Sequence, residues 1–285
     1  MKRAAVLAPL LVTGCALVWG FDRPEPRPAS DAGVDVLADA PPALPQTALW
    51  LDGALGVDVQ NGLVRRWSDQ SGNQNDAVQV DGGYRPVWAT ATGGRRAGVR
   101  FSAGTHLVIG DSATLRFGKG AFFVAVVVAY TGTPSTDELE GYSLLYSKQL
   151  VNAPYRGIGL FANYVTPTPS STFGGQVDNA TTIRTITSGL NDGNVHLFSL
   201  HRDPTAKSLA VRLNGVEEAV SFEPAVMSDV DAAGRPAYLG AQPVAGPPIQ
   251  RLSGTIYEIV ILAPEEVGTT GMQAVEGYLK KKYGL

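Results

Sequence analysis

Apolar residues recur along this chain at two spacings, and each spacing predicts a different element. AFFVAVVVAY, Ala121–Tyr130, is apolar at odd and even positions alike. A run so rich in β-branched residues makes a poor helix, and apolar side chains on both faces predict a central strand covered on both sides. NVHLFSLHRD (Asn194–Asp203) and TIYEIVIL (Thr255–Leu262) read as two further strands. In SLAVRLNGVEEAV, Asn214-Gly215 separates two alternating runs. That dipeptide suits a two-residue hairpin turn, where both central residues take positive φ. The hairpin sets Arg212 opposite Glu217, Val211 opposite Glu218 and Leu209 opposite Val220. Glu218 then falls on the more apolar face, which predicts that this face is open at its edge.

The last residues change period. Met272, Val275 and Leu279 fall at helical spacing, with Tyr278 beside them. Thr270 to Gln273 fits a capping box, and Lys280, Lys281 and Lys282 complement the negative end of a helix dipole. Gly284 is a natural stop. The pattern predicts an all-β domain with one short C-terminal helix laid against it. The 33 glycines and 19 prolines agree, because they punctuate turns such as Asp81-Gly82-Gly83 and Gly246-Pro247-Pro248.

The N-terminus has another character. In MKRAAVLAPLLVTGCALVWG, Lys2 and Arg3 precede an apolar stretch, and small residues lead to Cys15. This is a signal-peptide pattern, with an apolar run too short to span a bilayer. Val12-Thr13-Gly14-Cys15 resembles the lipobox of bacterial lipoproteins, which implies cleavage before Cys15 and lipid attachment to it. Residues 1–14 are then the signal peptide. Residues 15–46, rich in Pro, Ala and Asp, form a flexible, lipid-anchored stalk. Residues 47–285 are of single-domain size. The expected location is the bacterial cell envelope, with the membrane reached through the lipid on Cys15. Cys15 is the one cysteine, so the domain has no internal disulfide and relies on its core. A formal net charge of -3 and acidic neighbours beside Arg65-Arg66 and Arg95-Arg96 exclude a nucleic-acid partner.

Several segments together are similar to one family. LWLDGALGV followed by RRWSDQSGNQNDAVQ resembles the opening of bacterial LamG-like jelly-roll domains, of the concanavalin A-like lectin/glucanase superfamily. RRAGVRFSAGTHLVI, NVHLFSLHRD, LAVRLNGVEEAV and PAYLGAQ follow in the family's order. LSGTIYEIVILAPEEV through VEGYLKKKYGL resembles its ending. The resemblance implies an antiparallel two-sheet jelly-roll sandwich. It also makes Trp67, Asp69, Gly72 and Glu258 structural features of the motif. Fold does not give function, since this superfamily holds lectins, glycosidases, lyases and adhesive modules.

Candidate chemistry is sparse. Glycoside hydrolysis uses two carboxylates, and the superfamily's glucanases carry them on one strand as Glu-x-Asp-x-x-Glu or a close relative. No such run occurs, nor does the Gln-x-His of the alginate lyases. His196 and His201 stand five apart in a strand and so point to opposite faces. No enzymatic activity is expected. Sugar binding needs exposed aromatic faces ringed by polar groups. Tyr155, Tyr164 and Phe173, with Asn163 and Asn179 nearby, are the candidates, in the longest polar connection of the domain.

The oxygen-rich run after Trp67 offers a second possibility. Asp69, Asn73, Asn75 and Asp76 supply oxygens of the kind that calcium takes. The run lacks the glycine at the sixth place and the final Glu of an EF-hand. The favoured alternative is a turn in which Asp69 caps the backbone, Gly72 takes positive φ, and Asn73 and Asn75 bond backbone groups. No cofactor is required, and calcium is possible. The function that fits is a non-catalytic, envelope-anchored domain that binds a carbohydrate or another surface polymer. The alternatives are a structural or protein-interaction module and, behind it, a divergent polysaccharide-degrading enzyme.

Overall fold

A computed structural model of the chain describes residues 46–92, 94–132, 142–150, 156–162, 171–178, 182–222, 229–244 and 246–285. The expected signal peptide, Cys15 and almost all of the expected stalk lie outside the described residues.

The strands run, in order, β1 (Thr47–Asp52), β2 (Val57–Gln60), β3 (Leu63–Trp67), β4 (Ala77–Val78), β5 (Val87–Ala89), β6 (Gly98–Phe101), β7 (Leu107–Ile109) and β8 (Phe122–Tyr130). Then come β9 (Ser143–Gln149), β10 (Gly157–Ala162), β11 (Phe173–Gln176), β12 (Thr182–Arg184), β13 (Val195–Asp203), β14 (Ser208–Leu213) and β15 (Val216–Ser221). The last are β16 (Ala237–Leu239), β17 (Gln242–Val244), β18 (Gly246–Ile249) and β19 (Gly254–Leu262), before the helix α1 (Thr269–Tyr283). Seventeen strands join one antiparallel sheet, and β17 pairs with β18 apart from it. One run of pairings goes β1–β19–β8–β13–β14–β15. Another goes β3–β4–β7–β16–β9–β10–β11–β12. β5 links the two through β3 and β6. The fold is all-β with one C-terminal helix, as expected.

Strand β8 shows why its sequence is apolar throughout. Phe122, Val124, Val126, Val128 and Tyr130 enter the main core. Phe123, Ala125, Val127 and Ala129 enter a second core beneath α1, where they meet Val275 and Leu279. Trp67 is fully buried in the main core, and its Nε1 donates to the Asp52 carbonyl at 2.8 Å, so it anchors the start of the domain.

The hairpin departs from its predicted register in an instructive way. Arg212 faces Glu217 and Leu213 faces Val216, as the Asn-Gly turn dictates. A β-bulge then intervenes, so Val211 faces Ala219 and Leu209 faces Ser221. Ala219 packs against the main core in place of Glu218. The freed Glu218 carboxylate accepts the N–H groups of Ile186 and Thr187, at 3.0 and 2.9 Å. Burial pushes that carboxyl up, but these bonds outweigh it and hold it below its usual value.

The helix also begins differently from its predicted start. Gly268 is the N-cap and no side chain caps the first turn, so Thr270 and Gln273 form no capping box. Its end is as expected: Gly284 is left-handed at φ 71°, and its N–H closes on the Lys280 carbonyl. A second bulge, in β19, turns both Tyr257 and Glu258 toward the helix. Glu258 is fully buried there and accepts hydrogen bonds from Trp50 Nε1, Tyr278 and Tyr283.

Candidate functional site

The oxygen-rich loop is a closed hydrogen-bond network. Asp69 Oδ1 accepts the backbone amides of Trp50 and Ser71, both at 2.9 Å. Its Oδ2 accepts Ser71 Oγ at 2.7 Å and the Asn75 amide at 3.0 Å. Asp76 Oδ1 takes the Asp69 amide, while Oδ2 pairs with Arg66. Asn75 is buried, and its Nδ2 donates to the Ala48 carbonyl and to Thr114 Oγ1, both at 2.8 Å. Asn73 Nδ2 donates to the Thr47 carbonyl at 2.7 Å. Gly72 takes φ 89°. The four proposed metal ligands are thus brought together, with the oxygens of Asp69 and Asp76 aimed at N–H and O–H donors. Among the described residues, no group of three or more His, Cys, Asp or Glu is placed to hold a metal ion.

This network rigidifies one wall of a cleft of about 470 Å³. Ser71 and Asn73 line that wall. Gln46, Thr47, Thr114, Arg116, Pro264 and Glu265 line the rest of it. The lining is mostly polar: hydroxyls, amides, one guanidinium and one carboxylate. Arg116 is not free to swing, because it pairs with Asp111. Asp111 also accepts the buried Lys148 ammonium at 2.6 Å and the Gly234 amide at 2.7 Å. The bonds from Arg116 and Lys148 hold the Asp111 carboxyl far below the ordinary carboxylate range, although burial opposes them. Lys148 goes on to the carbonyls of Ala232 and Arg235, at 3.2 and 2.8 Å, so one ammonium ties β9 to the Asp111 loop and to the turn at Ala232 and Arg235.

The aromatic candidates fare differently. Tyr155, Asn163, Tyr164 and Asn179 lie outside the described residues. Phe173 is fully buried on β11, stacked on Phe198 at 5.2 Å and edge-on to His196 at 6.1 Å. It packs the core and offers no open face to a sugar. His196 and His201 pair with Val128 and Phe123, residues of opposite core faces. Arg116, Thr114 and Glu265 carried no local signal in the sequence. They meet only because the loop after β7 and the turn after β19 converge beside the chain's entry to the domain.

No protein-family model matches the chain, and no curated protein matches it. Among solved structures, it is similar to the binding domain of Paraclostridial Mosquitocidal Protein 1, with a TM-score of 0.57 at 10% identity. That match covers 82% of this chain and 52% of the other. An arabinofuranosidase complexed with arabinofuranosyl-α-1,2-xylobiose matches with TM-score 0.54 at 15% identity, over 78% of this chain and 51% of that one. Domain 4 of AbnA, a GH43 extracellular arabinanase from Geobacillus stearothermophilus in complex with arabinotriose, matches with TM-score 0.51 at 13% identity. It covers 81% of this chain and 97% of that domain. This chain spans about half the length of the first two. At such identities the likeness establishes a shared β-rich fold.

Proposed function

We propose that this protein is a non-catalytic binding domain, held on the bacterial envelope through lipid on Cys15, that recognises a carbohydrate or a similar surface polymer. Its fold is read as the two-sheet LamG-like jelly roll that the opening and closing segments resemble. The observation that supports binding is the cleft beside the Asp69 loop. Ser71, Asn73 and Thr114 offer neutral donors and acceptors, Arg116 a donor and Glu265 an acceptor. Such a mixture complements a ligand rich in hydroxyl groups. Among the described residues Glu265 is the one carboxylate in its lining, whereas glycoside hydrolysis uses two flanking the bond. Two of the similar structures, the arabinofuranosidase and the arabinanase domain, were solved with arabinose-containing oligosaccharides, which favours a saccharide ligand.

The test is binding of the delipidated protein to a broad glycan panel, with and without calcium. At least one saccharide is expected to bind, and Arg116→Ala or Glu265→Gln to weaken it by about tenfold, or ~1.4 kcal/mol. Absence of binding across the panel would sink the reading. A protein-contact role is the second reading. It draws on Val216 and Phe222 at the two ends of β15, exposed at 63% and 69%, and on Ile186 beside Glu218, exposed at 78%. One recurrent partner in membrane cross-linking, without glycan binding, would favour it.

A further inference from the structure

Asp52 ends β1 and stands directly opposite Glu258 on β19. Both side chains are buried, at 4% and 0% exposure. Two carboxylates placed this way repel each other strongly away from water. The helix resolves the conflict by inserting Lys282 between them. Its Nζ lies 2.6 Å from Asp52 Oδ2 and 2.8 Å from Glu258 Oε2, and its side chain is 3% exposed. Aromatic groups wall the site. The Tyr278 and Tyr283 rings lie 5.3 and 5.6 Å from the ammonium. Trp50 Nε1 and the Tyr278 hydroxyl donate to Glu258 Oε1, and the Tyr283 hydroxyl donates to Oε2.

We propose that Lys282 and Asp52 are a site of covalent self-modification, joined by an amide bond that forms with loss of one water. An amine and a carboxyl group are held in contact by three packed elements. Orientation of this kind raises the effective concentration of the partners to the order of 10⁵ M or more. In the first step one proton passes across the 2.6 Å contact from the Lys282 ammonium to the Asp52 carboxylate, giving an amine beside an acid. The Nζ lone pair attacks Cγ of Asp52, and the C–N bond forms. Glu258 takes a second proton from nitrogen and returns it to the departing hydroxyl. The C–O bond breaks, water leaves, and Glu258 ends as it began. Ammonium plus carboxylate becomes amide plus water, with no oxidant, metal or external reagent.

The division of labour follows from the contacts. Glu258 is held on both oxygens by three fixed donors besides Lys282, which suits a group that shuttles a proton and stays in place. Burial and the nearby Asp52 raise its carboxyl, which favours its taking the proton that leaves nitrogen. Asp52 is nearer to Nζ, and its other oxygen accepts the Ala54 amide at 2.9 Å. The bond would tie residues 230 apart, the first strand to the last helix, in a chain with one cysteine.

The test is protease digestion of the denatured full chain followed by mass spectrometry. The expected product is a branched peptide joining the Asp52 and Lys282 segments, lighter by one water than the two together, with no cleavage after Lys282. Lys282→Arg and Asp52→Ala remove it. Glu258→Gln keeps both reacting groups and lowers its yield by about tenfold or more. If folded wild-type protein, checked by circular dichroism, gives only separate peptides, the proposal is overturned. A branch from Lys282 to Glu258 overturns Asp52 as the acceptor, and an undiminished yield in Glu258→Gln overturns the proton shuttle. The deciding measurement is on wild type, so a variant that fails to fold leaves the outcome clear.

Discussion

Asp69 and Trp50 are 19 residues apart, yet the carboxylate of one holds the backbone amide of the other at 2.9 Å. The same carboxylate holds the amides of Ser71 and Asn75. Asp69→Ala leaves three part-buried N–H groups without their acceptor. The expected cost is about 2–4 kcal/mol, because orphaned donors lose more than a typical hydrogen bond contributes. Urea unfolding of the variant beside wild type checks this. A loss under about 0.5 kcal/mol would mean that water replaces the carboxylate freely.

The same geometry bears on calcium. We expect the melting temperature to be equal in millimolar calcium and in chelator. The oxygens of Asp69 face N–H and O–H donors, and Asp76 Oδ2 faces Arg66. An ion at about a hundred times its Kd would add ~2.7 kcal/mol and raise the midpoint by several degrees. Differential scanning calorimetry separates these outcomes, and a clear rise would reverse the assignment of this loop as a turn.

Asp111 predicts a pH dependence of defined sign. Its carboxyl is held below the ordinary value of 3.8 by Arg116 and Lys148. A group depressed in the folded state contributes stability that is fully present above its unfolded value. That contribution is lost as pH falls from about 4 toward the folded value. Asp111→Asn should therefore lower the melting temperature at pH 7, leave a smaller difference near pH 3, and flatten the acid side of the stability curve. Equal losses at both pH values would show that the carbonyls of Ala232 and Arg235 alone hold the Lys148 ammonium.

What the sequence made legible was whatever depends on near neighbours. The all-apolar β8 was readable because each face has its own core, one under the sheet and one under α1. The Asn214-Gly215 turn was readable because φ values of 50° and 79° follow from those two residues. The bulge that expels Glu218 was not, since its cause is the partnership with Ile186 and Thr187 about thirty residues upstream. Lys282 read as one of three lysines complementing a helix dipole. Its burial depends on Asp52 and Glu258, which no local spacing connects to it. The cleft was illegible for the same reason, because Arg116 and Glu265 come from segments far apart in the chain.

Two glycines give a paired prediction with opposite signs. Gly53 follows β1 and donates its amide to the Tyr257 carbonyl at 2.8 Å. A Cβ there would lie 2.6 Å from both the Ala97 carbonyl oxygen and Gly98 Cα, and 2.9 Å from the Tyr257 oxygen. These are backbone atoms and cannot turn aside, so Gly53→Ala must part β1 from its neighbours. Overpacking of this kind costs about 1–3 kcal/mol or more. It also moves Asp52 away from Lys282, so the yield of the branched peptide should fall with stability. Gly277 lies on the exposed side of α1, where a Cβ meets nothing within 4 Å. Gly277→Ala removes backbone freedom from the unfolded chain and should add about 0.5–1 kcal/mol. Urea midpoints moving down for the first variant and up for the second are the expected result. A stable Gly53→Ala protein would show that the strands at the Tyr257 bulge separate without cost, contrary to the packing around Asp52.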